Sequence, residues 1–199
     1  PGTPIPPEHG DALARLKAEG RFILGYAGSH GVSNALTFLV DSARLLQAQP
    51  VTLVLVGQGP EKKSLQQRAQ RMGLDNIMFL PPVPKASIQA LLTAIDACFI
   101  GWNRKPIYRF GVSPNKLFDY MMAGRPVIHA IEAPGDLVAE SGCGLSIPPE
   151  SPQAIADATL RLMALSPAER EAMGRRGRQY VLAHHDYRVL ARQFLEAIG

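Results

Sequence analysis

Only two cysteines, Cys98 and Cys143, occur in the 199 residues. Neither belongs to a C-x-x-C pair or a Cys/His ligand spacing, which argues against structural zinc and a disulfide framework. A reducing, cytoplasmic setting fits best. No cluster of His, Cys, Asp or Glu has metal-ligand spacing, so no metal is expected. Aromatic residues are scarce at 7%, with a single tryptophan. No basic run is interleaved with aromatics, so the net charge of +4 does not point to nucleic acid. That charge is compatible with an anionic ligand or a membrane surface. No apolar run is long enough to span a bilayer, and no leading segment has the basic-then-apolar layout of a signal peptide. The full G-x-G-x-x-G fingerprint is absent, and no acidic residue closes the apolar run ending at Val56, which disfavours a nicotinamide or flavin cofactor. G-x-x-x-x-G-K-[ST] is absent too, which disfavours a phosphate-loop NTPase. No Ser/His/Asp arrangement has supporting spacing.

What is present is a regular alternation of apolar runs and helical patterns, punctuated by 18 glycines and 17 prolines. The opening Pro1-Gly2-Thr3-Pro4-Ile5-Pro6-Pro7 reads as linker, so the chain is expected to be part of something larger. Residues 1–9 are read as linker and 11–19 as a short helix, leaving 21–199 as the folded domain. Short apolar runs predict strands at 22–27, 51–56, 77–80, 97–100, 127–130 and 144–147. Helical patterns cover 33–47, 61–72, 88–94 with Ser87 as cap, a segment after Ser113, a segment from Ser151-Pro152, and 167–184. Asp186 is the expected cap of a last helix. The strands do not alternate clearly, which suits a parallel sheet covered on both faces. The expected fold is therefore α/β: a doubly wound, Rossmann-like parallel sheet.

Ligands of such sheets bind beyond the carboxyl ends of the strands. The turns at 28–31, 57–60, 81–85 and 111–116 all follow predicted strands and should converge there. In Gly28-Ser29-His30-Gly31 the backbone can approach a ligand closely. His30 could hydrogen-bond an anion or act as a base, although a loop histidine without a role explains the sequence equally well. His129 ends an apolar run and reads as a satisfied core or rim residue. In the stretch from Phe110 to Ile128, Ser113 is a good N-cap and Pro114 suits the first helical position. Asn115 and Lys116 then fall in the first turn, where unpaired N–H groups and the helix dipole suit a phosphate. Asp119 lies one turn on from Lys116. Leu117, Phe118, Met121 and Met122 form the apolar stripe, and Gly124 is the expected stop. An ordinary capped helix with a solvated lysine is the plainer reading of this stretch taken alone.

The stretch from Gly111 to Ile128 closely resembles the donor-site segment of glycosyltransferase family 4, retaining GT-B enzymes that use nucleotide sugars. The resemblance extends to Tyr26-Ala27-Gly28, Leu55-Val56-Gly57-Gln58-Gly59-Pro60, Asn76-Ile77-Met78-Phe79-Leu80, Gly142-Cys143-Gly144 and Met173-Gly174-Arg175-Arg176-Gly177-Arg178. It implies the C-terminal, donor-binding half of a two-domain enzyme. It implies a nucleotide diphosphate sugar, UDP-linked, as donor substrate, with no further cofactor. A glycan, lipopolysaccharide or lipid-linked acceptor would sit on an N-terminal domain, with loose association with the inner face of a membrane. Asp119 aligns with the second glutamate of the family's E-x7-E motif, the ribose ligand; the first would fall at Gly111 and is absent. Asn115, Lys116 and Leu117 align with the start of the diphosphate-binding helix. Gly28, Ser29 and Gly57 align with loops that line the nucleotide, and Val83 with the backbone that reads the base. His30, Gly111, Val112 and Ser113 are the expected sugar contacts, and Lys116 and Asp119 the expected catalytic pair. Ser33 stands near the usual place of a phosphate-binding lysine, so either the chain belongs to a subgroup lacking both that lysine and the first glutamate, or Arg104, Lys105 or Arg109 substitutes. A non-catalytic nucleotide-sugar module and a GT-B epimerase are the alternatives.

Overall fold

A computed structural model describes residues 3–106 and 115–184 of the chain. Six strands form one sheet: β1 (Phe22–Ala27), β2 (Val51–Val56), β3 (Ile77–Leu80), β4 (Ala97–Gly101), β5 (Val127–Ala130) and β6 (Gly144–Ile147). Their spatial order is β3-β2-β1-β4-β5-β6, and every pairing is parallel. This is the doubly wound arrangement expected from the alternating pattern. The sequence order reverses between β1 and β4, which opens a crevice beyond their carboxyl ends.

All residues of β1, β2, β4 and β5 are buried. Helices on both faces explain why these strands read as continuous apolar runs. One core cluster packs α2 (Leu36–Leu45) and α7 (Pro152–Ala164) on one face of the sheet, through Leu36, Leu39, Ile155 and Leu162. The other face carries α1 (Pro7–Ala18), α4 (Ile88–Thr93), α5 (Asn115–Met122), α6 (Leu137–Ser141) and α8 (Pro167–His184), through Leu13, Leu92, Leu117, Met121, Val138 and Val181. α3 (Lys62–Arg71) adds Leu65 to the first cluster. In α8, Gly174 and Gly177 let the helix approach closely: a Cβ on Gly174 would lie 1.9 Å from the Gly124 carbonyl oxygen. The basic residues between and beside them face outward, with Arg175 3.7 Å from Glu171 and Arg176 donating to Gly142 O at 2.9 Å.

Four sequence expectations are corrected locally. α1 begins at Pro7, not after a linker through His9, because Pro suits the first helical position and His9 is buried, with Nε2 2.8 Å from Pro81 O. The helix expected over 33–47 is broken: a 3-10 turn (Val32–Asn34) leads to Ala35 at φ 51°, and only then does α2 begin. Asn34 causes the break by donating its side-chain amide to Ser29 O and Gly31 O, in competition with helical bonding. Ser87 does not cap α4; its hydroxyl donates instead to Pro4 O. α6, five residues long, was not expected; Asp136 caps it by accepting from Val138 N. Ser151 does cap α7, accepting from Ala154 N. The cap expected at Asp186 lies outside the described residues.

Candidate donor-binding site

The crevice at the reversal of strand order is spanned by one side chain. Lys116, in the first turn of α5, sends its ammonium across to the end of β1. Nζ donates to Tyr26 Oη at 2.7 Å and to Asn34 Oδ1 at 2.8 Å, and lies 4.4 Å from the centroid of the Tyr26 ring. Tyr26 Oη in turn donates to Ser29 O at 2.6 Å. Tyr120, one turn along α5, fixes the helix to the same strand end: Ala27 N donates to its hydroxyl at 2.9 Å. α5 is thus tied to β1 twice, from the far side of the crevice.

The loops beneath are glycine-dependent. A Cβ on Gly28 would lie 2.8 Å from Lys116 Cε and would have to displace the lysine arm, and the φ of 156° is itself disfavoured for other residues. A Cβ on Gly57 would lie 1.9 Å from Gly28 O, and its φ of 145° is itself disfavoured for other residues. His30 N donates to Gln58 O, which locks the two loops together. Lys62 reaches back under them, donating to Gly57 O and Leu80 O.

The electrostatics are those of cations held beside a buried neutral histidine. Burial lowers the pKa of Lys116 from 10.5 to about 8. His30 is wholly buried, and both its ring nitrogens lack a hydrogen-bond partner among the described residues. Burial, then the charges of Lys62 and Lys116, push its pKa down to about 4. His30 is therefore neutral near pH 7, set between the rings of Tyr26 and Phe79.

Of the residues singled out in the sequence, Gly28, Ser29, His30, Gly57 and Lys116 come together here. Asn115 stands exposed at the start of α5. The Leu117 side chain is 1% exposed and belongs to the core, so only its backbone can serve a ligand. Asp119 diverges from Lys116. It lies on a groove of about 580 Å³ lined also by Gln89, Thr93, Phe118, Met122 and Arg178. Burial raises its pKa, and the charge of Lys85 opposes that rise. Val83, two residues before Lys85, is half-buried in the same neighbourhood. Arg104, a candidate replacement cation, is 3.4 Å from Glu132; Lys105 is exposed. Gly111, Val112, Ser113 and Arg109 lie outside the described residues. Tyr26, Asn34 and Tyr120 were not marked as site residues. A tyrosine inside an apolar strand and an asparagine three residues after Gly31 were the available signals.

A doubly wound parallel sheet with a crevice at its point of reversal defines a Rossmann-like domain. The Glycosyl transferases group 1 family matches residues 21–164, and the chain belongs to that family. It is 28% identical over 180 residues to the Escherichia coli K12 protein named as the colanic acid biosynthesis glycosyl transferase WcaI, covering 88% of this chain and 42% of that protein. It is 31% identical over 163 residues to the Pseudomonas aeruginosa D-rhamnosyltransferase WbpZ, covering 81% of this chain and 40% of that one. The chain thus spans about two-fifths of the length of these curated relatives. In fold it is similar to Anabaena HepE, solved in complex with UDP and glucose, with a TM-score of 0.77 at 19% identity over 97% of this chain and 52% of that one. The fold is that of GT-B glycosyltransferases.

Proposed function

We propose that this chain is the donor-binding, C-terminal half of a retaining glycosyltransferase of family 4 that uses a UDP-linked sugar. The observation that carries the reading is the Lys116 ammonium, held at the crevice by two neutral oxygens, with one N–H unbonded among the described residues. The diphosphate would lie over Gly28 and Ser29, between that ammonium and the start of α5 at Asn115. The ribose hydroxyls would meet Asp119, and the base would lie along the backbone at Val83. Lys85 supports that neighbourhood, because its charge is felt at the Asp119 carboxylate.

Sugar transfer from such a donor needs stabilisation of the departing diphosphate more than a strong base. Fixed donors and a buried cation supply it without reorganising at the moment of reaction. The mechanism invokes no metal. His30, neutral beneath the loop, cannot supply charge at pH 7; its part would be that of a hydrogen-bonding partner. The acceptor, a glycan or lipid-linked sugar, would be presented by an N-terminal domain across the cleft, with peripheral association at a membrane. The relatives named for colanic acid biosynthesis and D-rhamnosyl transfer support a polysaccharide or lipopolysaccharide acceptor. No helix among the described residues is long and apolar enough to cross a membrane.

Calorimetric titration with UDP, GDP, ADP and their glucose conjugates tests the reading. UDP species should bind most tightly, and diphosphates more tightly than monophosphates. Binding of none of them by the folded chain would contradict it. The full-length protein should transfer sugar while these 199 residues alone do not. The absent glutamate at position 111, where Gly111 stands, favours a second reading, a non-catalytic nucleotide-sugar module. Donor turnover by the full-length protein would exclude it.

A further inference from the structure

The bonds around Lys116 close into a ring. Lys116 Nζ donates to Tyr26 Oη, which donates to Ser29 O. Asn34 Nδ2 donates to the same carbonyl at 2.9 Å, while its Oδ1 accepts from Lys116 Nζ. The flanking donor and acceptor fix the orientation of the Asn34 amide, since the ammonium can only donate and the carbonyl only accept. Every polar atom in the ring has a partner, and among the described residues the ammonium retains a single unbonded N–H.

This arrangement is built at some expense. Ala35 is held at φ 51°, a left-handed conformation costly for a residue with a Cβ, immediately after Asn34. The strained turn is what aims Asn34 back at the lysine rather than into the helix. Gly28 leaves room for the lysine arm. Ser33, where the family resemblance led us to look for a lysine, carries no charge, yet a lysine from α5 delivers one to the next residue, Asn34.

We propose that Tyr26 and Asn34 are positioning residues that hold the Lys116 ammonium over Ser29, with its one free N–H directed at a single oxygen of the donor diphosphate. The inference rests on the donor-site reading above. Its consequence is that the two partners tune the lysine in opposite ways when altered. Tyr26→Phe removes an acceptor while leaving the burial, so the ammonium becomes easier to deprotonate. Asn34→Asp places a carboxylate against it, so the ammonium becomes harder to deprotonate and the diphosphate is repelled. Among the described residues, His30 is the ionisable group that feels the charge of Lys116, and it feels that of Lys62 as well. Both are kept in the two variants.

The test is the titration of the Lys116 13Cε resonance in the ligand-free chain and in the presence of UDP, with UDP affinity measured from pH 6 to pH 9. In the unaltered chain the resonance should titrate near pH 8, the depressed value set by burial. UDP should raise that midpoint, and affinity should fall as pH climbs through it. Ionisation of the nucleotide is common to all variants, so the differences between them isolate the lysine. Tyr26→Phe should shift the ligand-free midpoint to lower pH by about half a unit or more, and weaken UDP about three- to tenfold at pH 7. Asn34→Asp should shift it to higher pH and weaken UDP by at least as much. Asn34 is half-exposed, so this variant tests the ring even if Tyr26→Phe folds poorly. Midpoints that stay at the unaltered value in both variants would overturn the ring. Midpoints that move as stated, with UDP leaving the Lys116 titration untouched, would overturn the donor-site reading instead.

Discussion

Two of the buried histidines, His30 and His129, have surroundings opposite in charge. His30, after β1, has Lys62 and Lys116 as charged neighbours and no carboxylate bonded to it among the described residues. His129, on β5, has Nδ1 2.8 Å from Asp136 Oδ1. Burial alone would raise the pKa of Asp136, but hydrogen bonds from His129 and Ser146, the charge of His129 and the Val138 N–H bring it down to about 2. Folding therefore treats charge in opposite ways at the two clusters. At the β5 end the ionised form is stabilised by folding, and the same carboxylate caps α6. At the β1 end folding keeps charge on Lys116 at a cost and keeps His30 neutral. A folded protein retains an unfavourable cation when something outside the chain compensates for it. On the function proposed above, the β5 cluster serves the fold and the β1 cluster serves a ligand.

The largest effect expected from this contrast is at the fold-serving end. Asp136→Ala removes a helix cap and the partner of a buried histidine, and should lower the stability of the chain by about 2–4 kcal/mol. UDP affinity of the folded fraction should not change. Urea unfolding and calorimetry on the same preparation check both halves; a loss of affinity would blur the division drawn here.

Lys116→Met should do the reverse. Removing a buried ammonium whose pKa is lowered from 10.5 to about 8 should stabilise the chain at pH 7 by about 1–2 kcal/mol, after the loss of two hydrogen bonds is allowed for. Thermal unfolding reads this as a higher midpoint. A lower midpoint would place Lys116 among the structural residues.

Acid unfolding separates the two histidine clusters by pH. His30 has its pKa lowered from 6.5 to about 4, so the unfolded chain takes up a proton in that window and the folded chain does not. The stability it contributes is complete above pH 6.5 and is lost as pH falls towards 4. Asp136 contributes in a lower window, losing its stabilisation as pH falls from 3.8 towards 2. His30→Phe should flatten the upper limb and leave the lower one. A profile with the same upper slope in the variant would remove His30 from that role.

The smallest effect is expected at Asp119. Asp119→Asn should weaken UDP and uridine by a similar factor, about three- to tenfold, because a carboxylate accepts hydroxyl hydrogen bonds more strongly than an amide. Inorganic diphosphate should be insensitive. Equal weakening of all three would mean that the carboxylate does not read the ribose.

The sheet was legible because its strands are buried on both faces and so read as unbroken apolar runs. Five of the six strands coincide with the residues expected, and β4 extends one residue further, to Gly101. α6 was not legible: five residues do not complete a helical period, and its signal was the single cap at Asp136. The break at Asn34 was hidden because the competing bonds run to Ser29 and Gly31, within a loop that carries no periodic pattern. At the site, the order of motifs pointed to Lys116 and Gly28. The lysine's choice of Tyr26 and Asn34 as partners arises from contacts 90 and 82 residues apart, and His30 is set against Phe79 from another strand, none of which a local pattern encodes. The neighbourhood of Lys116 and Asp119 on one helix suggested a shared cluster. The lysine instead turns to β1 and the carboxylate to the groove beside α4.

The central claim is that Lys116 meets the donor's diphosphate. UDP titrated calorimetrically at pH 7 into the unaltered chain and into Lys116→Met tests it most directly. Loss of a charge-assisted hydrogen bond of about 1.5–3 kcal/mol predicts an affinity about 10- to 100-fold weaker in the variant, with the fold intact or more stable. Equal affinity in the two proteins would contradict the account.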